Sequence, residues 1–246
     1  MRVVDADVVI SNASALCKGV QVPAGAVHLC YCLTPTRFVW TPAQYLAGES
    51  YPAWLRYALQ PLLWWMRRWD RAAARRVTRM VAISTAVADR IGRFYGLEVP
   101  VIHPPVDTTL FQPSTEAADY YLVVSRLVPY KRIDLAVRAC TELGAPLLVI
   151  GDGRDEATLR ACAGPSVRFL GRLSDDQVRH HMARCRAFLF PGEEDFGIAP
   201  VEAQAAGRPV VAFAAGGALD TVIDGETGGL FHEPTVAGLL SALARL

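Results

Sequence analysis

Glu194 and Glu202 stand with seven residues between them in F-P-G-E-E-D-F-G-I-A-P-V-E (190–202) and bracket a glycine-containing turn. The apolar run Ala187–Phe190 ends at Pro191, and Ala199–Ala206, bounded by Gly207-Arg208-Pro209, reads as a helix. The turn therefore joins the carboxyl end of a strand to the amino end of a helix, where unpaired N–H groups and the helix dipole hold anions. Two cations have a matching placement: in V-V-S-R-L-V-P-Y-K-R (123–132), Arg126 lies just past a strand and Lys131 at the start of the next helix. A planar guanidinium and a mobile ammonium converging on one anion suit a diphosphate whose negative charge grows as a bond to it breaks. Taken singly, each pattern also describes a capping acid, a surface acid or surface cations. The combination carries the argument.

The elements that must position these groups follow from the apolar pattern. In the first half, strands are expected at Asp7–Ser11, Ala26–Tyr31, Met80–Ser84 and Val99–His103. A long helical stretch from Ala53 to Arg79, broken or kinked near Pro61, and a shorter helix over Ala86–Tyr95 fill the intervals. The proline-marked polar stretch from Pro104 to Thr115 suggests a boundary, giving domains 1–114 and 115–246. The second half alternates strand and helix regularly. Strands are expected at Tyr121–Ser125, Leu147–Ile150, Val167–Leu170, Ala187–Phe190, Val210–Phe213 and Gly229–Phe231. Helices are expected around Ile133–Leu143, Asp155–Ala163, Asp175–Arg184, Ala199–Ala206 and Leu219–Ile223, with the chain ending in a helix. This is an α/β class with parallel sheets covered on both faces and ligands at the strands' carboxyl ends.

Composition excludes several classes. A net charge of +1 over 246 residues gives no reason to expect nucleic acid. The six cysteines are scattered, and Cys30-Tyr31-Cys32 lacks the spacing of a zinc knuckle, so reduced thiols in a cytoplasmic protein are expected. No signal peptide and no bilayer-length apolar run is visible, which leaves a soluble or peripheral chain, at most at the inner face of the membrane. Asp5-Ala6-Asp7 sits at a strand's start, and no metal or cofactor is expected. G-D-G-R-D-E (151–156) is no dinucleotide fingerprint, because acids crowd where a pyrophosphate needs donors. It reads as a tight turn. His103 reads as a linker residue, and His180 and His181 as a solvated helix face. Trp54, Trp64, Trp65 and Trp69 with Arg56, Arg67, Arg68, Arg71, Arg75, Arg76 and Arg79 form a basic, tryptophan-rich region. It fits either the surface of an anionic membrane or the packing of the first domain.

Taken in order, S-R-L-V-P-Y-K-R, V-I-G-D-G, V-R-F-L-G-R-L, F-P-G-E-E-D-F-G-I-A-P-V-E-A-Q-A-A-G-R-P-V and G-G-A-L-D-T-V-I-D-G-E-T-G resemble the group 1 family of retaining nucleotide-sugar glycosyltransferases. The resemblance runs from Asp5 onward and looks nearest to bacterial mannosyltransferases that use GDP-mannose. It implies the GT-B fold, two Rossmann-like domains facing across a cleft, with the donor-binding domain from about residue 115 and an acceptor-side domain before it. It implies that Arg126 and Lys131 hold the donor diphosphate, that Glu202 binds the ribose hydroxyls, and that Glu194 contacts the donor sugar. The backbone of Phe196, Gly197, Ile198 and Ala199 would approach sugar and phosphate, and Leu173 marks the loop that holds the base. The acceptor implied is a glycan or a lipid-linked sugar, with peripheral membrane contact possible.

Two departures accompany the resemblance. In L-C-Y-C-L-T-P-T-R-F-V-W (29–40), Leu33 stands where relatives usually carry a histidine, and leucine neither donates nor accepts a hydrogen bond. His28 is expected on the strand's other face or a turn away. Relatives also have a longer first domain, with a glycine-rich loop over the donor phosphates, so the first sheet here is expected to be incomplete. The alternatives left open are a donor-binding module without transferase activity, a UDP-sugar-dependent transferase, and an epimerase or phosphorylase on the same fold.

Overall fold

The computed structural model of the chain describes residues 2–42 and 58–246. The chain forms two compact units, Met1–Pro104 and Pro105–Leu246.

In the first unit, β1 (Val8–Ala13), β2 (Val27–Cys32) and β3 (Arg79–Ala82) form a parallel three-stranded sheet in that order. The two-residue period of a strand puts Ser11, Ala13, His28, Cys30, Cys32, Met80 and Ala82 in the interior, while Val8 and Ile10 face out and are exposed. Helices α1 (Arg37–Trp40), α2 (Gln60–Arg76) and α3 (Thr85–Tyr95) complete the described part. Ser84 caps α3 by accepting the Val87 N–H at 3.1 Å, and Val87, Ile91 and Tyr95, four residues apart, form its buried stripe.

One expectation for this unit is borne out and one is corrected. The helical stretch is broken near Pro61: Ala58 is helical, Leu59 lies in a turn, and α2 starts at Gln60 with Pro61 in its first turn, where a missing N–H costs nothing. The part of the expected helix that includes Trp54 and Arg56 lies outside the described residues. Val99–His103 forms no regular strand. Only a bridge between Ala82 and Val101 forms, because Pro100, Pro104 and Pro105 remove ladder donors around it.

Sequence reasoning missed the polar heart of this unit. Lys18 and Asp70, both fully buried, form an ion pair of 2.7 Å. Lys18 Nζ also donates to the Ala15 carbonyl at 2.7 Å and to Thr36 Oγ1 at 2.9 Å. Asp70 accepts from Thr36 Oγ1, from Trp40 Nε1 at 2.7 Å and from Tyr95 Oη at 2.8 Å. Burying two charges costs several kcal/mol each unless their remaining valences are filled. Here they are filled, and one carboxylate ties α1, α2 and α3 to the segment after β2.

In the second unit, β4 (Tyr121–Val124), β5 (Leu147–Ile150), β6 (Val167–Gly171), β7 (Ala187–Phe190), β8 (Val210–Phe213) and β9 (Gly228–Phe231) form one parallel sheet in the order β6-β5-β4-β7-β8-β9. The crossovers are α4 (Ile133–Leu143), α5 (Glu156–Ala161), α6 (Asp175–Arg184), α7 (Ile198–Ala205) and α8 (Ala218–Thr221), and α9 (Val236–Leu243) follows β9. Two cores flank the sheet. Leu135, Cys140, Leu239 and Leu243 pack with Val123, Val149, Leu189 and Val211 on one side, and Met182, Ala203 and Ala206 with Leu122, Phe188 and Val210 on the other. Strands buried on both faces read as unbroken apolar runs, which is why this half was legible. The order is the doubly wound one, and it reverses between β4 and β7. Loops leaving those two strands diverge at their carboxyl ends and open a ligand crevice.

Candidate active site

The loop after β4 runs from Ser125 through a 3-10 turn at Pro129–Lys131. Ser125 N–H donates to the Ile150 carbonyl at 3.0 Å and Leu127 N–H to that of Asp152 at 2.8 Å, so β5's continuation carries it. The approach is so close that a Cβ on Gly151 would lie 1.9 Å from the Ser125 carbonyl oxygen. Arg132, directly after Lys131, has φ of +51°, the one positive φ outside glycine among the described residues. Such a conformation costs on the order of 1–3 kcal/mol and persists only where the surroundings enforce it. It turns the chain abruptly into α4, while the Arg132 guanidinium holds Asp134 at 3.0 Å.

The loop after β7 packs against this one. A Cβ on Gly192 would fall 2.6 Å from the Lys131 carbonyl oxygen. On its other side, Gly217 N–H donates to the Glu194 carbonyl at 2.9 Å, and a Cβ on Gly217 would sit 2.2 Å from Phe196 Cα. The Glu194 backbone is thus clamped between the β4 and β8 connections by contacts only glycine permits. Gly197, φ +84°, then caps α7 in a left-handed conformation.

These clamps bring Lys131 and Glu194 together. Their side chains form an ion pair across the switch point, 18% and 21% exposed, open enough for a ligand and shielded enough for charge to matter. Arg126 lies on the same loop as Lys131 with an exposed side chain, and it joins neither carboxylate. Glu202 lies on α7, half-buried. Burial raises its carboxyl above the usual carboxylate range, and the negative charge of Asp175, the first residue of α6, pushes it further the same way. No described residue donates a hydrogen bond to its side chain. Leu173, two residues before Asp175, packs on the same core cluster as Ala199, so the loop after β6 and the start of α7 share one side of the sheet. Phe196 is buried and Ile198 is exposed at the first position of α7. Arg172 approaches Asp152 at 3.9 Å across the ends of β5 and β6.

In the first unit, Leu33 follows β2, its N–H donating to the Ala13 carbonyl at 2.8 Å. His28 is buried and within 2.9 Å of Ser11 Oγ, and burial holds it in its neutral form to lower pH than usual. It shares the inward face with Cys30 and Cys32, an odd number of residues from Leu33, and so lies on the other side of the strand. The Thr34 hydroxyl is buried with no hydrogen-bond partner among the described residues. His103 Nδ1 is 3.0 Å from the Ile83 carbonyl, a structural contact. The solvated-face reading of His181 is corrected: it is half-buried, its backbone carbonyl accepts from Tyr120 Oη at 2.9 Å, and its ring packs edge-on against Tyr120. Among the described residues no group of three or more His, Cys, Asp or Glu could hold a metal ion, and no helix is long and apolar enough to cross a membrane.

A doubly wound parallel sheet with a cation and carboxylates at its switch point belongs to the class of α/β domains that bind ligands between the diverging loops. Comparison with known sequences narrows the class. The chain belongs to the family described as "Glycosyl transferases group 1", whose model matches residues 109–246, and residues 6–110 match "Glycosyltransferase Family 4". It is 31% identical over 219 residues to a GDP-mannose-dependent alpha-(1-6)-phosphatidylinositol monomannoside mannosyltransferase of Mycolicibacterium smegmatis, covering 74% of this chain and 57% of that protein. It is 39% identical over 114 residues to the GDP-mannose-dependent monoacylated alpha-(1-6)-phosphatidylinositol monomannoside mannosyltransferase of Corynebacterium glutamicum, covering 40% and 30%. The chain thus spans less than two thirds of either relative. Among solved structures, sucrose-phosphate synthase from Thermosynechococcus elongatus superposes with a TM-score of 0.75 at 19% identity, over 97% of this chain and 64% of that one. Anabaena HepE in complex with UDP and glucose gives 0.66 at 21%, over 88% and 67%. The fold is the GT-B type of these glycosyltransferases, built here from two parallel sheets.

Proposed function

We propose that this chain transfers a hexose, mannose from GDP-mannose, onto a lipid-linked or polysaccharide acceptor with retention of anomeric configuration. The observation that carries the reading is the Lys131–Glu194 ion pair at the switch point of a group 1 transferase domain. Lys131 and Arg126 take the donor diphosphate and offset its charge as the sugar–phosphate bond breaks. Glu194, held by the Gly217 N–H, faces the donor sugar. Glu202, half-buried and unpartnered, accepts hydrogen bonds from the ribose hydroxyls, and the main chain around Leu173 holds the base. The acceptor oxygen bonds to the anomeric carbon on the face the diphosphate leaves, and its proton passes to a diphosphate oxygen. No protein nucleophile and no metal enters these steps. The mannosyl choice follows the two mannosyltransferase relatives, and the lipid-linked acceptor follows the phosphatidylinositol mannosides in their names.

A UDP-sugar donor is the second reading, favoured by the UDP complex of the HepE neighbour. A donor-binding module without turnover is favoured by Leu33 and by the engagement of His28 with Ser11. Calorimetry with GDP-mannose, UDP-glucose and UDP-N-acetylglucosamine, followed by a donor-hydrolysis assay, separates them. Preferential GDP-mannose binding with release of GDP supports the main reading. Preference for UDP-glucose moves the assignment to the second, binding without turnover leaves the module, and no binding ends all three.

A further inference from the structure

Helix α2 has a face that the packing among the described residues leaves exposed. Its buried stripe is Asp70, Ala73 and Ala74, continued by half-buried Met66 and Val77, at the three- and four-residue spacing of a helix. On the opposite face, Trp64 and Trp65 are 61% and 59% exposed, and Leu62 beside them is exposed too. One to three turns further on come exposed Arg68, Arg71, Arg75 and Arg76, and the helix's one acid, Asp70, is buried on the other side. The two halves of the face therefore differ: apolar and aromatic toward the amino end, cationic toward the carboxyl end.

The arginines are not equivalent. Arg67 donates to the Val39 carbonyl and lies over Trp40, and Arg71 donates to the Phe94 carbonyl and stacks on the same ring at 4.9 Å. Those two brace the fold. Arg68 lies 5.0 Å above the Trp64 ring and forms no ion pair among the described residues, and the same holds for Arg75 and Arg76. The helix dipole accounts for cations in the last turn, at Arg75 and Arg76. It accounts for neither Arg68 nor the paired exposed tryptophans. Along the helix, Arg68 to Arg76 span about 12 Å at 1.5 Å per residue. That is about one and a half Debye lengths at physiological salt, so the charges barely repel one another end to end while each attracts an extended anionic partner that spans them. They line a shallow groove of about 770 Å³ with Trp65 and Trp69.

We infer that the Trp64–Arg76 face of α2 docks on an anionic lipid surface, the tryptophans at the headgroup boundary and Arg68, Arg75 and Arg76 on phosphates. Interfacial indoles and phosphate-bound guanidiniums are the two halves of such a contact. The chemistry selects this partner over others. A second copy meeting the same face would oppose like charges, and a nucleic acid would leave Leu62 and the apolar half unused. The chain's net charge of only +1 makes the attraction local to this face. Its purpose, delivery of the transferase to a lipid-linked acceptor, rests on the function proposed above. Its test does not.

The purified chain is mixed with vesicles of phosphatidylcholine alone and of phosphatidylcholine with phosphatidylglycerol, and binding is read by co-sedimentation and by tryptophan emission. The expected result is binding to the anionic vesicles only, with a blue shift, lost as salt rises. Each arginine near such a surface contributes about fivefold in affinity. Replacing Arg68, Arg75 and Arg76 with glutamine should therefore weaken it about a hundredfold, with the circular dichroism spectrum and donor calorimetry unchanged. Trp64→Ser with Trp65→Ser, both at exposed positions, should abolish the blue shift. Equal binding to the two vesicle types, retention by the triple variant, or self-association removed by the tryptophan variants would each overturn the assignment. Donor calorimetry on the same samples reports separately on the transferase reading.

Discussion

The ammonium of Lys131 lies against the carboxylate of Glu194, on loops that leave neighbouring strands in opposite directions. Each side chain fixes the other, so a single substitution unsettles both. Lys131→Ala should lower turnover by about 10²–10³, the loss typical of one preorganised electrostatic donor. Steady-state kinetics with GDP-mannose measure it, and a turnover near the parental value would remove Lys131 from the chemistry.

Glu202 should trade stability against donor affinity. Its folded-state pKa is raised, first by burial and then by Asp175. A carboxyl with a raised pKa supports folding fully below its unfolded value, and that contribution is lost as pH rises through the folded value. At neutral pH the buried charge is therefore a cost, and Glu202→Gln should raise the midpoint of thermal unfolding there but not at acid pH. The same variant should bind donor more weakly, by calorimetry. Parental donor affinity should also decline as pH falls through the raised value and the acceptor carboxylate is lost.

The backbone clamp on Glu194 can be tested without touching a charged group. Gly217→Ala places a methyl within 2.2 Å of Phe196 Cα, and the backbone must shift to admit it. Overpacking of this kind costs about 1–3 kcal/mol. Urea unfolding should show that loss, and turnover should fall with it because Glu194 moves. Parental stability and turnover together would mean that the loop yields freely.

Asp70 should be among the most sensitive positions of the first unit. Asp70→Ala strands the buried Lys18 ammonium and the Trp40 and Tyr95 donors, a loss of about 3–5 kcal/mol. Lys18→Met with Asp70→Leu should recover much of it, since no charge is then left unpaired. Chemical denaturation of the three proteins decides. A single variant as stable as the parent would show that water reaches the pair.

Much of the second unit was readable because a parallel sheet writes each strand as one apolar run and each crossover as a helical pattern. Leu147–Ile150, Ala187–Phe190 and Ile133–Leu143 form as expected. The site's residues were nameable because they fall just after such runs. Their relations were not. No local pattern shows that Gly192 meets Lys131 or that Gly217 holds Glu194, since each contact joins segments brought together only by strand order. The Lys18–Asp70 pair was hidden for the same reason, although an acid on the apolar stripe of α2 is a signal that periodicity could have raised. Pro61 was legible as a break because a proline is tolerated in a helix's first turn and not in its interior.

The grip on the Lys131 and Glu194 loops is made by main-chain atoms: Gly151 on Ser125, Gly192 on Lys131, Gly217 on Glu194 and Phe196. Amide-to-amide joints take no account of what the neighbouring side chains are. Residues such as Arg126, Leu173 or Ile198 can therefore be exchanged while the loops keep their course. Side chains along this edge of the sheet can then vary without disturbing the frame that carries them, and the second unit becomes a practical scaffold for redesign.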